Sequence, residues 1–276
     1  ISMYTEYQPS HLLVPYIDSY WEFKGNPDYG MRIHILPDGC TDFIFTLGEV
    51  ANAVEEGSLI MQPYRSYFVG PMTKYSELVT YTESIHMFGV RFLPCGLSCF
   101  TNLPLHEFVN SRVSTNEMKA VFDDTFIEKL GEQKHVTDRI RVVEEYLLAY
   151  LARHYQPADS HVDMAVNMIN HSKGKRSVRS LMDDVCLCQR HFERKFKHYT
   201  GFTPKEYSRI VKFKNAVELL RTTTSANLLT TAVDAGYYDL AHFSKEIKSM
   251  SGNTPAAFLS LTVPEETTLT YIEPQR

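Results

Sequence analysis

The chain of 276 residues has no run of about 18 apolar residues, the length at which a membrane-spanning helix becomes a candidate. The pattern of a secretory signal peptide is also missing, because the first 30 residues carry the acidic side chains Glu6, Asp18, Glu22 and Asp28. The five cysteines are odd in number and include no Cys-x-x-Cys pair, which argues against a disulfide framework. We therefore expect a cytoplasmic protein with reduced thiols and no membrane segment.

The sequence also lacks the spacing that metal sites require. Zinc sites normally contain Cys-x-x-Cys-type pairs, and none is found in the group formed by Cys186, Cys188, His191 and His198. A His-x-His motif followed by a spaced Glu is equally missing from the region that contains His11, His34, His86 and His106. We predict no metal, no other cofactor and no catalytic residue. A redox pair of Cys186 and Cys188 is the alternative to two small buried thiols.

Charge is distributed unevenly along the chain. Residues 1–170 hold 12 Lys and Arg against 22 Asp and Glu, a net charge of −10, whereas residues 171–262 hold 15 against 8, a net charge of +7. Residues 263–276 add −2, so the whole chain carries −5. A basic segment of this size is either an ordinary solvated surface or a surface for nucleic-acid phosphates.

The first third of the chain has the pattern of short strands separated by turn residues. Pro37-Asp38-Gly39 predicts a tight turn between two of them. Tyr and Phe, together with Trp21, crowd the region before residue 93, which suits either a β-rich core or a pocket for an apolar or ring-bearing effector. Arg91 would bind an anionic effector or pair with a nearby acid. The predicted strands are residues 31–36, 41–47, 58–69, 74–81 and 85–92.

From residue 105 onwards, apolar residues recur at helical spacing, first over 105–130 and then over Val136–His154. The second stretch predicts a long connecting helix, whose apolar stripe suits either packing within its own chain or pairing in a homodimer. Pro157 ends this helix, and Asp159 or Ser160 is placed to cap the next one. The region from there to Leu261 shows no strand-like alternation and predicts an all-α part of short helices, bridged by an amphipathic helix over 204–221.

An internal repeat occupies the basic region, with matched residues 51 positions apart. In each copy, aromatic or aliphatic residues four apart mark one buried helix face, a glycine ends that helix, and Thr-Pro begins the next. Upstream of each copy lies a short helix with a tight connection, at 180–185 and 229–235, so each unit predicts a helix-turn-helix. The matched residues are His191 and His242, Phe192 and Phe243, Lys197 and Lys248, Gly201 and Gly252, Thr203-Pro204 and Thr254-Pro255.

These residues resemble a known family. The stretch 162–261 looks like the DNA-binding domain of AraC/XylS-type regulators, and its most specific match runs from Gly236-Tyr237-Tyr238-Asp239 through His242-Phe243 to Gly252-Asn253-Thr254-Pro255. Leu36-Pro37-Asp38-Gly39 and residues 89–96 resemble an N-terminal domain of a subgroup of these regulators. Two positions depart from the family, since Cys186 and Cys188 stand where Gly and Ser are common. The second helix of the first unit therefore lacks a good N-cap. It is called the first reading helix, and its counterpart in the second unit is called the second reading helix.

The resemblance implies that the second helix of each unit enters the major groove, in adjacent turns of double-stranded DNA. Arginine can bond guanine with two hydrogen bonds, whereas Leu240 and Ala241 offer only apolar contact. The first reading helix is therefore expected to carry most of the sequence discrimination. The positions expected to face DNA are Gln189, Arg190, Glu193, Arg194 and Lys197 in the first helix, and Leu240, Ala241, Ser244 and Lys245 in the second.

The predicted fold is α+β with two domains. We expect a β-rich barrel- or sandwich-like sensor domain with helices at 1–132, a linker helix within 133–160, an all-α double helix-turn-helix domain at 161–262 and a tail at 263–276. The expected function is transcription regulation, as activator or repressor, with double-stranded DNA, an unknown small-molecule effector and RNA polymerase as candidate partners.

Two alternatives to this function stay open. The first is an effector-independent DNA-binding oligomer in which the β-rich domain serves only in assembly. The second is an acceptor of DNA alkyl damage, which would need four clustered cysteine ligands in the N-terminal domain. Only Cys40, Cys95 and Cys99 are available there, and they are poorly spaced.

Overall fold

The computed structural model describes residues 3–118, 121–122, 125–185, 187–222, 228–256 and 270–273. Cys186 and residues 257–262, on which some of the predictions fall, lie outside these ranges. The described residues form two β-sheets near the N-terminus, one long helix after them and a helical region that follows. This arrangement confirms the predicted α+β fold with two domains.

Antiparallel pairing joins the described strands into two sheets. The larger sheet has six strands in the order β1 (Tyr4–Tyr7), β2 (Ile17–Gly25), β8 (Ile85–Phe92), β4 (Thr41–Thr46), β6 (Ser66–Val69) and β9 (Arg112–Ser114). The smaller sheet has four strands in the order β10 (Thr270–Glu273), β3 (Met31–Ile35), β7 (Ser76–Thr80) and β5 (Asn52–Ala53). Strand β10 brings part of the predicted tail back onto the N-terminal domain, beside β3.

Alternation along β4 places its side chains on two different cores. Phe43 and Phe45 lie in a core shared with helices α1 (Phe126–Gly131) and α2 (Val136–His154). Ile44, between them in sequence, lies in a second core together with residues of the smaller sheet. The larger sheet is therefore covered by helices on one face and by the smaller sheet on the other, which is a sandwich-like arrangement.

Helix α2 has the bounds that its spacing predicts, Val136–His154. Val143 and Leu147 are fully buried in the N-terminal core, so packing within its own chain accounts for its apolar stripe. Arg139 of α2 also forms a hydrogen bond with β2, because its Nη1 donates to Glu22 Oε1 at 2.9 Å. Pairing of this helix in a homodimer stays a prediction.

Two predictions about the N-terminal domain were wrong in extent. Only Ser66–Val69 of the predicted strand 58–69 is a strand, because Pro63 has no amide donor and Tyr64 has a left-handed φ of 56°. The predicted helical stretch 105–130 contains two short 3₁₀ helices, Leu105–Glu107 and Thr115–Glu117, strand β9 and helix α1. Pairing of β9 with the edge of β6 prevails there over the local helical spacing.

The described part of the helical region from residue 160 to 256 contains no strand. Its helices are α3 (Ser160–His171), α4 (Val178–Val185), α5 (Gln189–Thr200), α6 (Pro204–Thr222), α7 (Leu228–Asp234) and α8 (Leu240–Ser251). Asp159 caps α3, as expected, and accepts hydrogen bonds from the amides of His161 and Val162. Leu36 and Cys95 of the N-terminal domain belong to the same buried cluster as the helices, so the two domains pack directly on one another.

Candidate nucleic-acid interface

Helix α5 separates an apolar face from a basic one. Phe192 and Phe196 lie one turn apart, are fully buried and contact each other with ring centroids 5.6 Å apart. Because these rings fix the rotation of the helix, Arg190, Arg194 and Lys197 point into solvent. The first predicted reading helix therefore presents three cations on its free face.

Contacts within α5 leave most of this charge available. Gln189 Nε2 donates to Glu193 Oε1 at 2.8 Å, which occupies the acid of this face with a neighbour on the same helix. Arg194 Nη2 lies 3.1 Å from His191 Nδ1. Within the described ranges, Arg190 has neither a hydrogen-bond nor an ion-pair partner for its side chain. A guanidinium without a partner can donate hydrogen bonds to a base edge or to a phosphate.

Helix α8 repeats the arrangement with fewer charges. Phe243 and Ile247 are fully buried, so the opposite face is turned outward. Leu240, Ala241 and Lys245 are exposed on that face and Ser244 is half-buried. All the side chains that the sequence predicts to face DNA are thus at least partly exposed in both helices, and their contact with DNA stays a prediction.

The two helices end alike and begin differently. Gly201 and Gly252 follow α5 and α8 with φ of 84° and 80°, the left-handed cap that the repeat predicts. Asp239 Oδ1 accepts from the amide of His242 at 2.7 Å and caps α8. Cys188 precedes α5 in extended conformation and makes no side-chain cap, which confirms the expected weakness at the start of the first reading helix.

Replacing Cys188 with Ser should stabilise the protein by about 1 kcal/mol, because the hydroxyl can accept from an amide of the first turn of α5. The backbone there, with φ −65° and ψ 140°, already has the conformation of an N-cap. The matched variant Asp239→Ala should lose about 1 kcal/mol by removing the existing cap of α8. Urea denaturation of both variants measures this. A destabilised Cys188→Ser would contradict the assignment of this position as the cap.

Helix α6 connects the two units and fixes their relation. Its start carries a capping box, in which Thr203 Oγ1 accepts from the Glu206 amide at 3.2 Å and Glu206 Oε2 accepts from the Thr203 amide at 2.7 Å. Arg209 of α6 forms an ion pair with the buried carboxylate of Glu246 in α8. The second reading helix is therefore tied to the same scaffold as the first.

One exposed residue of the second unit was not predicted. Tyr238 lies just before α8 and its side chain is 92% exposed, whereas its neighbour Tyr237 is 5% exposed. The side chains of the two adjacent tyrosines point in different directions, and a Tyr-Tyr pair just before a helix is the signal that could have identified Tyr238.

The described residues offer no support for metal chemistry or for an alkyl acceptor. No group of three or more His, Cys, Asp or Glu within these ranges is arranged to hold a metal ion. Cys40, Cys95 and Cys99 are buried, and burial raises the pKa of each thiol, which disfavours the reactive thiolate. Among the helices the structure describes, none is long and apolar enough to cross a membrane.

Comparison with family models matches two parts of the chain. Residues 181–260 match a helix-turn-helix domain. Residues 5–114 match a domain of unknown function, DUF6597. Comparison with curated protein sequences gives no match.

Solved structures are similar to this chain at low sequence identity. ToxT from Vibrio cholerae is 9% identical, with a TM-score of 0.51 over 88% of this chain and 98% of that chain. ToxT from strain O395 bound to (E)-4-(8-methylnaphthalen-1-yl)but-3-enoic acid gives the same values. The xylose-binding transcription activator xylR is 24% identical over 39% of this chain and 28% of that chain, with a TM-score of 0.34. The likeness to ToxT covers both domains and extends to their order along the chain.

Proposed function

We propose that this chain, a DNA-binding transcription regulator of the AraC/XylS type, reads two adjacent major grooves with α5 and α8 and adjusts its DNA affinity to a small molecule. The observation that carries the proposal is the pair of matched helices, each with a buried apolar face, an exposed opposite face and a left-handed glycine at its end. Helix α6 holds the pair on one scaffold, as two neighbouring grooves on one side of a duplex require.

The chemistry of the two helices favours unequal roles. Arg190 and Arg194 of α5 can each make two parallel hydrogen bonds to guanine, whereas the exposed Leu240 and Ala241 of α8 suit a thymine methyl. Lys197 and Lys245 are better suited to phosphates, since an ammonium is a point charge without a fixed fork. Helix α5 then selects the sequence, and α8 mainly fixes register and affinity.

The regulatory part of the proposal is supported by the packing of the domains. Leu36 and Cys95 are buried among the helices, and Lys214 Nζ of α6 donates to the carbonyl of Asp38 at 3.3 Å. A change in the N-terminal domain therefore reaches the scaffold of the reading helices through direct contact. The structure of ToxT with a bound carboxylic acid adds support, because it is a protein of the same two-domain fold that holds a small molecule.

Arg190→Ala and Arg194→Ala should each weaken binding to the preferred DNA site by about 1 to 3 kcal/mol, because each removes a bidentate contact to a base. Binding to random DNA should fall by less. The preferred site is first selected from a random duplex pool with the full chain, and affinities are then measured by fluorescence anisotropy. Arg141→Ala, an exposed arginine on α2, is the matched control and should change neither value. Equal losses on selected and random DNA would reassign both arginines to phosphates.

A further inference from the structure

Two neighbouring cavities in the N-terminal domain meet at Arg112. The outer one is an open pocket of about 390 Å³ beside residues 55–59, 72–76 and 110–113. The inner one is a slot of about 50 Å³ between the sheets, with apolar walls that include Phe23, Ile33 and Met87. Val69, Met72 and Arg112 line both cavities. The pair suits a ligand with one short apolar group and a polar remainder.

Arg112 forms no ion pair among the described residues, and the acid that acts on it electrostatically, Asp42, is already paired with Arg91. The Nε of Arg112 is buried and has no hydrogen-bond partner in the described part of the chain, and its Nη2 lies 3.5 Å from Ser76 Oγ. Burial lowers the pKa of Arg112, and the nearby Asp42 carboxylate opposes this shift without cancelling it. A buried donor without a hydrogen-bond partner destabilises the folded state. A bound carboxylate would remove this destabilisation by accepting charge-assisted hydrogen bonds.

The other arginine in the wall of the slot, Arg91, is already neutralised. Its Nε lies 3.3 Å from Asp42 Oδ1 and its Nη1 lies 3.3 Å from Glu6 Oε1. Asp42 Oδ1 also accepts from Trp21 Nε1 at 2.7 Å. Of the two interpretations of Arg91 from the sequence, the buried ion pair is therefore the one seen in the structure. The arginine in this wall that has no ion pair among the described residues is Arg112.

The loop 70–75 connects these cavities with both reading helices. Met72 lines both cavities, and Tyr75 lines the outer one. Pro71 abuts Gly201 after α5, where an added Cβ would lie 2.6 Å from its Cγ. Tyr75 abuts Gly252 after α8, where an added Cβ would lie 2.7 Å from its Cζ. One short loop thus touches the ends of both reading helices and the rim of the pocket.

We propose that the N-terminal domain binds a small monocarboxylate, with its carboxylate on Arg112 and its short apolar group in the slot, and that the loop 70–75 transmits occupancy to α5 and α8. This inference rests on the regulatory function proposed above and names the ligand class and the route. A ligand that displaces Met72 or Tyr75 shifts the surface against which both reading helices end. The spacing of the two helices, and with it the fit to two successive grooves, then changes on binding.

The binding part is tested with hexanoate and benzoate, against hexanol and benzyl alcohol as uncharged counterparts of the same shape. Calorimetric titration of the full chain should detect the carboxylates and not the alcohols. Arg112→Gln should weaken carboxylate binding about tenfold or more, because a charge-assisted hydrogen bond is lost. Arg112→Lys keeps the positive charge and should retain part of the carboxylate binding. It serves as the test variant if Arg112→Gln fails to fold. Arg65→Gln, at an exposed arginine near β6, is the matched control.

The transmission part is tested by DNA affinity with and without saturating carboxylate. Coupling should change the affinity for the selected DNA site about 5- to 150-fold, and DNA must change carboxylate affinity by the same factor. Absence of carboxylate binding in a chain that still binds DNA, or undiminished binding in Arg112→Gln, overturns the assigned site. Carboxylate binding without any change in DNA affinity overturns the route. Failure to bind DNA at all counts against the proposed function itself.

Discussion

Binding of the full chain to its selected DNA site should weaken about a hundredfold when salt rises from 50 to 200 mM, since each phosphate contact releases a counter-ion. The described cations that are exposed on α4, α5 and α8 are Arg179, Arg190, Arg194, Lys197, Lys245 and Lys248. Because Arg190 and Arg194 are proposed to bond bases, four of these cations are left for phosphates, and about four contacts give a loss of this size. Three of the four are lysines, so the lysines should dominate the salt slope.

The slope itself identifies the contacts. Lys197→Gln and Lys248→Gln should each lower the salt slope by about one and weaken selected and random DNA alike. Lys129→Gln on α1 is the matched control, because it lies in the N-terminal part of the chain, where residues 1–170 carry a net charge of −10. Anisotropy titrations at four salt concentrations measure all three variants. An affinity that stays constant from 50 to 200 mM would remove phosphate binding from the function of the basic segment.

The helical domain could be predicted well from the sequence because its signals are local. A buried aromatic pair one turn apart, a glycine that permits positive φ and a Thr-Pro start are each legible within a few residues. The repeat then doubles the evidence, since Phe192 and Phe243 occupy equivalent buried positions. Even the weaker start of α5 could be predicted, because a cysteine offers no good acceptor for the first amides.

The N-terminal domain was harder because its signals are not local. Strand β9 consists of only Arg112–Ser114 and exists because it pairs with β6, more than 40 residues earlier in the chain. Strand β10 lies in what the sequence suggested was a tail and pairs with β3 at the other end of the chain. No periodicity within three or four residues can reveal such partners.

The same limit applies to the proposed ligand site. The sequence drew attention to Arg91, which lies in a clear strand pattern, and passed over Arg112, which lies in a stretch interpreted as helical. Which of the two arginines forms ion pairs depends on the acids that surround it in three dimensions. Glu6 and Asp42 come from β1 and β4, and only the order of the strands in the sheet brings them to Arg91 of β8.

Three acids converge on Arg91 in the interior of the sandwich. Its guanidinium lies 3.5 Å from Asp38 Oδ2 as well as 3.3 Å from Asp42 and Glu6. Asp38 in turn shapes the turn that touches the helical domain, because its Oδ1 accepts from the Cys40 amide at 2.8 Å and its carbonyl accepts from Lys214 Nζ. Arg91 therefore holds together the larger sheet and the turn that contacts α6.

Arg91→Met should lower the free energy of unfolding by about 3 to 5 kcal/mol, because it leaves buried carboxylates without their cation. The methionine keeps much of the apolar volume, so loss of charge rather than a cavity is what the variant tests. Arg65→Met, at an exposed arginine, should change stability by less than about 0.5 kcal/mol. Adding Asp42→Asn to Arg91→Met should recover part of the lost stability, since one of the unpaired buried charges is then removed.

Urea denaturation followed by tryptophan fluorescence measures these changes directly, because Trp21 donates a hydrogen bond to Asp42. If Arg91→Met loses less than about 1 kcal/mol, the acids are not held as carboxylates by this arginine, and its role as the anchor of the Asp38 turn must be abandoned.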